Sequence, residues 1–168
     1  NASITAGIHD AHIKIGAIRP VTGESALTGI YKAYEANGEK LDTVRMKVAQ
    51  DELETTNQIV QENKNKDGFN IEVFNQVIIN VKQEINNFYN ENNGPATTDQ
   101  IVEIVSDTID KHDLKNIISQ DQKDQLVKLF NDYQNSGAVN SEEVLNQLRD
   151  LSKDVGNKVK DIYDDAVD

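Results

Sequence analysis

One stretch of the sequence, residues 71–88, constrains the fold more than any other. Its apolar residues step by three or four positions, in the order Ile71, Phe74, Ile78, Val81, Ile85 and Phe88. Steps of this size place all of these side chains on one stripe of an α-helix, as in the seam of a coiled coil. The pattern therefore predicts a long amphipathic helix whose residues Ile78, Val81 and Ile85 form the core.

Other apolar stripes of helical period lie on both sides of this helix. Thr22–Ser25 opens one helix, which Asn37–Gly38 ends, and a longer helix is predicted from about Glu39 to Asn63. The residues predicted to cap the later helices are Thr97 or Thr98, Ser119 with Gln122 in a capping box, and Asn140. The sequence thus predicts a mainly α fold, a bundle of about five or six amphipathic helices with one short N-terminal β-strand.

That strand is predicted over Ile13–Ile18, because Ile13 and Ile15 alternate with a lysine and Pro20 then excludes further pairing. Before it, Ala2–Ile8 resembles the last turn of a helix that Gly7 closes. We expect two regions: residues 1–36, with the helix end, the strand and the first helix, and residues 37–168, which are helical. A lone strand leaves its backbone groups unpaired, so we expect it to pair with a second copy, giving a homodimer, or to lie loosely against the helices.

The charge of the chain excludes several classes of partner. The 168 residues include 17 Lys and Arg against 29 Asp and Glu, a net charge of -12. A field of this sign repels nucleic-acid phosphates and anionic lipid surfaces. The sequence has no cysteine, which excludes disulfides and thiolate metal sites. It also has no apolar run of the roughly 20 residues that a transmembrane segment needs.

The histidines are the first candidates for chemistry. His9, Asp10 and His12 lie close together, but the spacing suggests no further metal ligand, and an exposed turn explains them as well. His112 follows Lys111 where a helix ends, and a cation at that position would stabilise the helix dipole. We identify no catalytic residue and no cofactor-binding residue in the sequence.

Two helix connections resemble calcium-binding loops. The first has Asn63, Asn65 and Asp67 at suitable positions, but Phe74 stands where a carboxylate is required. The second, a weak calcium-loop candidate, has Asp132, Gln134, Ser136 and Glu143 at the first, third, fifth and twelfth positions. Its third and fifth ligands are neutral, so the sequence predicts no tight calcium binding.

Two blocks of sequence resemble the YpuA-like family, a domain-of-unknown-function family of predicted extracellular proteins of Gram-positive bacteria. The first runs from Thr5 to Ala11 and resumes from Gly23 to Glu35, and the second runs from Gln120 to Asn131. The resemblance implies secretion and a role outside the membrane, and supplies no activity or catalytic residue. It also implies a longer plan in which a signal peptide and a strand-containing half precede the part that this chain matches, and pairing with that half is a further expected outcome for the strand over Ile13–Ile18.

Two functions remain as hypotheses. The first is a secreted or cell-envelope-associated helical interaction module without catalytic activity, which binds an unknown protein or cell-wall partner. The alternative is a hydrolase or metal-dependent enzyme acting on envelope polymers, which requires His9 and His12 to meet distant carboxylates. Because the helices are long and amphipathic and no polar cluster converges in the sequence, we favour the first.

Overall fold

The computed structural model describes residues 1–18 and 20–165, with side chains described up to residue 160. The described residues form helices, connected by turns and irregular segments. In chain order the helices are α1 (Ala2–Thr5), α2 (Gly23–Ala36), α3 (Thr43–Asn63), α4 (Ile71–Asn92), α5 (Thr98–Lys111), α6 (Gln120–Asn135) and α7 (Glu142–Asp165). The predicted helical bundle is confirmed. Arg19 and residues 166–168 lie outside the described residues, and the division at residue 36 stays a prediction.

Helix α4 is the centre of the bundle, and it packs against α5, α6 and α7. The predicted core residues Ile78, Val81 and Ile85 are buried. The predicted stripe is not buried along its whole length, because Ile71 in the first turn is exposed. The buried surface is also wider than one stripe, and it includes Val73, Val77 and Ile79. Helix α4 is therefore covered on two sides, by α5 and α6 on one and by α7 on the other.

Three apolar clusters hold the bundle together. The largest lies where α4 meets α3, α5 and α6. A second joins α1 and α2 to α3 through Ile8, Leu27, Tyr31 and Ala49. A third joins α4 to α7 around Ile79. The N-terminal elements are thus attached to the bundle mainly through α3.

Several helix starts are as predicted, and two are not. Thr97 and Ser119 each form a complete capping box. Helix α3 begins at Thr43 rather than near Glu39, because the Asp42 carboxylate accepts from the N–H groups of Val44 and Arg45 at 2.8 and 3.0 Å. Helix α7 begins after Ser141 rather than after Asn140, since the Val144 N–H donates to the Ser141 hydroxyl at 3.3 Å. In both cases the helix is capped by a residue of strong capping ability, Asp42 or Ser141, that lies after the predicted start.

The predicted strand over Ile13–Ile18 is not present. Residues 11–18 form no regular structure, and the part of the chain that the structure describes contains no strand. An isolated strand has nothing to pair with, so its alternating pattern alone does not form a ladder. The helix end before it is confirmed: α1 closes at Gly7, which has a φ of +88°. None of the described helices is both long and apolar enough to cross a membrane.

Candidate functional site

A buried charge cluster (Thr5, Glu52 and Lys82) joins α1, α3 and α4. The Lys82 ammonium donates to Glu52 Oε1 at 2.6 Å and to the Thr5 hydroxyl at 2.8 Å, and that hydroxyl donates to Glu52 Oε2 at 2.6 Å. The Lys82 and Glu52 side chains are only 1% and 2% exposed. Each charge is therefore paired, and the three groups close a ring of hydrogen bonds that water does not reach.

Tyr133 of α6 covers this cluster from a fourth helix. The Lys82 Nζ lies 5.6 Å from the centre of the Tyr133 ring, within the range of a cation–π contact. The Tyr133 hydroxyl donates to Asn86 Oδ1 at 3.1 Å. Burial raises the pKa of Tyr133 and lowers that of Lys82, although the Glu52 carboxylate opposes the second shift. A cluster whose charged groups are buried and occupied by one another in this way holds the helices in place.

A second set of contacts fixes the chain just after α1. Arg45 of α3 donates from Nε to the Thr5 carbonyl at 2.9 Å and from Nη2 to the Ile4 carbonyl at 3.2 Å. A Cβ on Gly7 would lie 3.0 Å from Arg45 Cζ, so the close approach needs a glycine as much as the positive φ does. Gln147 of α7 donates to the Ile8 carbonyl at 3.0 Å. The chain is therefore anchored as far as Ile8.

Beyond this anchor lies the extended segment (residues 9–18), which bends at Asp10, where φ is +50°, and then runs over the surface without regular structure. Ile13 and Ile15 are 42% and 60% exposed, and Ile18 is fully exposed. None of the backbone groups described between residues 11 and 18 takes part in a hydrogen bond. The chain becomes fixed again at Thr22, whose hydroxyl caps α2 by accepting from the Ser25 N–H at 3.2 Å. The segment is thus exposed and held at both ends.

A groove of about 440 Å³ separates the extended segment from α2. Its floor on the α2 side consists mainly of small side chains, Ser25, Ala26, Gly29 and Ala33, with Ile30 and Tyr34 beside them. A Cβ added at Gly29 would meet nothing within 4 Å, so the floor leaves free space above it. Ile13 and Ile15 line the opposite wall.

The histidines that the sequence offers as candidate metal ligands lie next to this groove. His9 Nδ1 is 3.3 Å from Asp10 Oδ2, and its ring packs edge-on against Tyr34, with centroids 6.2 Å apart. His12 lines the groove. Among the described residues, no group of three His, Asp or Glu side chains could hold a metal ion. The distant carboxylates that the enzyme hypothesis requires therefore do not meet His9 and His12 in the described part of the chain.

The residues of the second calcium-loop candidate make other contacts. The Gln134 side chain bonds both the N–H and the carbonyl of Ala96, each at 3.0 Å. The Ser136 hydroxyl donates to the Tyr133 carbonyl at 2.7 Å, and Asp132 pairs with Lys128 at 3.0 Å. Glu143 lies in the first turn of α7. Calcium binding would require Gln134 and Ser136 to leave these partners, and weak affinity stays a prediction.

His112 differs from its predicted role as a cation. It caps the C-terminus of α5, as the sequence suggests, but its Nε2 lies 2.9 Å from Asn80 Nδ2 of α4. An amide nitrogen donates to a neutral imidazole nitrogen and not to a protonated one. Burial, reinforced by Lys111, lowers the pKa of His112, although Asp113 opposes the shift. The ring therefore acts as a neutral acceptor between two helices.

Comparison with known proteins extends over most of the chain. A family model described as "Protein of unknown function (DUF1002)" matches residues 1–151. The uncharacterized protein YpuA of Bacillus subtilis (strain 168) is 33% identical over 155 residues, which are 92% of this chain and 49% of that protein. The chain therefore spans about half the length of the curated relative that it matches. No solved structure gives a significant match.

Proposed function

The chain belongs to the DUF1002 family, and we propose that it is a non-catalytic interaction module of a Gram-positive cell envelope, with the extended segment as its contact surface. The observation that carries this proposal is the exposure of Ile13, Ile15 and Ile18 on a segment anchored at both ends. Scattered apolar residues on a surface are ordinary, but several together on one short segment are typical of a binding surface.

The charge distribution favours a protein partner over a polymer of phosphates. The net charge of -12 opposes close approach to nucleic acids and to anionic wall or lipid polymers. Apolar side chains such as Ile13 and Ile15 gain most from burial against other apolar side chains. Both properties favour a protein surface that is apolar at its centre and neutral or basic at its rim.

The location of the charged groups supports a role without catalysis. The strongest electrostatic site, formed by Glu52 and Lys82, is enclosed and occupied by its own hydrogen bonds. Its effect is to fix α1 and so to define where the extended segment leaves the bundle. The resemblance to predicted extracellular proteins supports the proposed location outside the cytoplasmic membrane. Detection of the protein in medium and envelope fractions rather than in cytosol would test this location.

The binding role is tested by comparing two β-branched apolar residues that are equally exposed but lie on different surfaces. Ile13 in the extended segment and Val102 in α5 are each 42% exposed. We expect the parent chain to bind saturably to purified cell envelope of the bacterium that encodes it. Ile13→Asp should weaken binding about tenfold or more, because it removes an apolar contact and also places a charge in the interface that must be desolvated.

Val102→Asp is the matched control and should bind like the parent chain. Both variants should melt at the parent temperature, because both residues face solvent. Absence of saturable binding by the parent chain, or equal binding by Ile13→Asp, would contradict the proposed function.

A further inference from the structure

We propose that residues 11–18 bind by strand addition, joining the free edge of a β-sheet in a partner protein. This inference rests on the proposed interaction function and specifies its mode. In strand addition, backbone hydrogen bonds supply affinity and alternate side chains supply specificity.

The backbone of the segment is the first argument for this mode. None of the backbone groups described between residues 11 and 18 forms a hydrogen bond with another described residue, so both edges of the segment can pair with a partner. The sequence His12-Ile13-Lys14-Ile15 alternates polar and apolar residues, which is the pattern of a strand with one buried face. The same residues that fail to form a strand alone therefore have the pattern of one that a partner completes.

The groove supplies the second argument. A strand that joins a sheet needs apolar material against the buried face of that sheet. The small side chains of α2, including Ala26, Gly29 and Ala33, leave a groove of about 440 Å³ beside the segment. Side chains from the partner's edge strand can enter this space, while Ile13 and Ile15 cover them from the other wall.

A second copy of this chain is a poorer occupant than a partner sheet. Two paired segments would form only a two-stranded ribbon, which is marginal in water. Each copy also has a net charge of -12, so two copies repel each other. A partner sheet supplies the further strands and the apolar face that a two-stranded ribbon lacks.

The fixed ends of the segment reduce the cost of binding. Ile8 is anchored by Gln147, and α2 is capped by Thr22, so only a short stretch loses freedom on pairing. Pro20 lacks a backbone donor and limits the added strand at its C-terminal end. The paired region is therefore predicted to be residues 11–18.

The test is a proline scan that distinguishes the two hydrogen-bonding edges of the segment. In a strand, successive residues direct their N–H groups to opposite edges, so only every second proline removes a bond to the partner. Lys14→Pro and Gly16→Pro form one class, and Ala11→Pro and Ala17→Pro form the other. Each is measured for binding to purified cell envelope, with Lys14→Ala as the side-chain control for Lys14→Pro.

We expect one class to weaken binding about tenfold or more, because each such proline removes a ladder bond and crowds the partner. The other class should stay within about threefold of the parent chain. All four variants should melt like the parent, since these amides make no hydrogen bond to any residue that the structure describes. The chain has no cysteine, so the thiol introduced by Lys14→Cys can be labelled selectively with a photocrosslinker. The resulting crosslinks should map to an edge strand of the partner.

Each other result has a separate meaning. Equal binding by both proline classes, or equal loss of binding in both, would overturn strand addition. The interaction function would still stand if Ile13→Asp weakens binding as proposed. Failure of the parent chain to bind would overturn the proposed function itself. A dimer of the parent chain alone in sedimentation, abolished in either proline class, would replace the partner by a second copy and overturn the inference.

Discussion

Replacing Lys82 by methionine tests whether the buried charge cluster holds the frame from which the extended segment is presented. The variant keeps most of the side-chain volume but removes the cation 2.6 Å from Glu52 and 2.8 Å from the Thr5 hydroxyl. The Glu52 side chain is 2% exposed, so its charge then has neither an opposite charge nor bulk water beside it and keeps only the hydrogen bond from the Thr5 hydroxyl. Breaking a buried pair in this way costs about 3–5 kcal/mol.

That cost is a large part of the roughly 5–15 kcal/mol by which a domain of this size is stable. The double variant Lys82→Met with Glu52→Gln removes both charges, and the amide oxygen introduced at position 52 can still accept from Thr5. We expect it to be clearly more stable than the sum of the two single variants predicts, with a coupling energy of about 2–3 kcal/mol. The coupling arises because each single variant leaves one buried charge alone.

The assay is urea unfolding followed by helical circular dichroism, with the free energy of unfolding extrapolated to water. Lys153→Met is the control, because Lys153 pairs with Asp150 at 3.2 Å on the surface, with both side chains at least 75% exposed. It should change stability by no more than about 0.5 kcal/mol. A loss below about 1 kcal/mol in Lys82→Met, additive with Glu52→Gln, would refute the reasoning that this pair is buried and coupled.

Two substitutions and one titration test the core, the anchor and the half-buried histidine. Ile78→Asp buries an unpaired charge at a fully buried position, so the variant should melt far lower or fail to fold, and an unchanged melting curve would contradict this core. Gly7→Ala should cost about 1–2 kcal/mol in urea unfolding because Gly7 has a φ of +88° and contacts Arg45, whereas Gly16→Ala should cost nothing. His112 should titrate below 6.5 by NMR because burial lowers its pKa. The folded state then binds fewer protons than the unfolded state, so the contribution of neutral His112 to the free energy of unfolding is present above the unfolded pKa and is lost as pH falls below 6.5. An NMR titration midpoint above 6.5 would contradict the neutral role of His112.

Local signals predicted the helices well, because caps and apolar periodicity act within one turn or one stripe. Ser119 with Gln122 forms its box regardless of what packs nearby. Asn140 and Ser141 are both good caps, and the choice between them depends on how the chain enters α7, which the sequence does not state. Local chemistry therefore gives the existence of a helix more securely than its first residue.

The buried charge cluster was not predicted, and its position explains why. Lys82 follows Val81 of the seam, so a helical projection places it at the edge of the apolar stripe, where lysines usually reach solvent. Its partner Glu52 lies 30 residues earlier on another helix, and Thr5 lies 77 residues away. Such a pairing depends on how α1, α3 and α4 pack together, which no local pattern records.

For the extended segment, the sequence predicted a strand that the structure does not contain. The alternation of Ile13 and Ile15 is a correct local signal for a strand, but a strand exists only when another strand pairs with it. The sequence therefore predicted a chemical tendency that the isolated chain does not satisfy. The proposed partner sheet is the condition under which that tendency would be fulfilled.

Amide hydrogen exchange on the free chain, read residue by residue, tests most directly the claim that an open segment leaves an anchored frame. The Ala6 and Ile8 amides donate to the carbonyls of Ala2 and Ser3, both at 3.0 Å, and should exchange slowly. The Ile13 and Ile15 amides have no backbone acceptor in the described chain and should exchange at nearly the rate of an unfolded peptide. Strong protection at Ile13 and Ile15 in a monomeric sample would contradict the account, because it would require a partner for this segment within the chain itself.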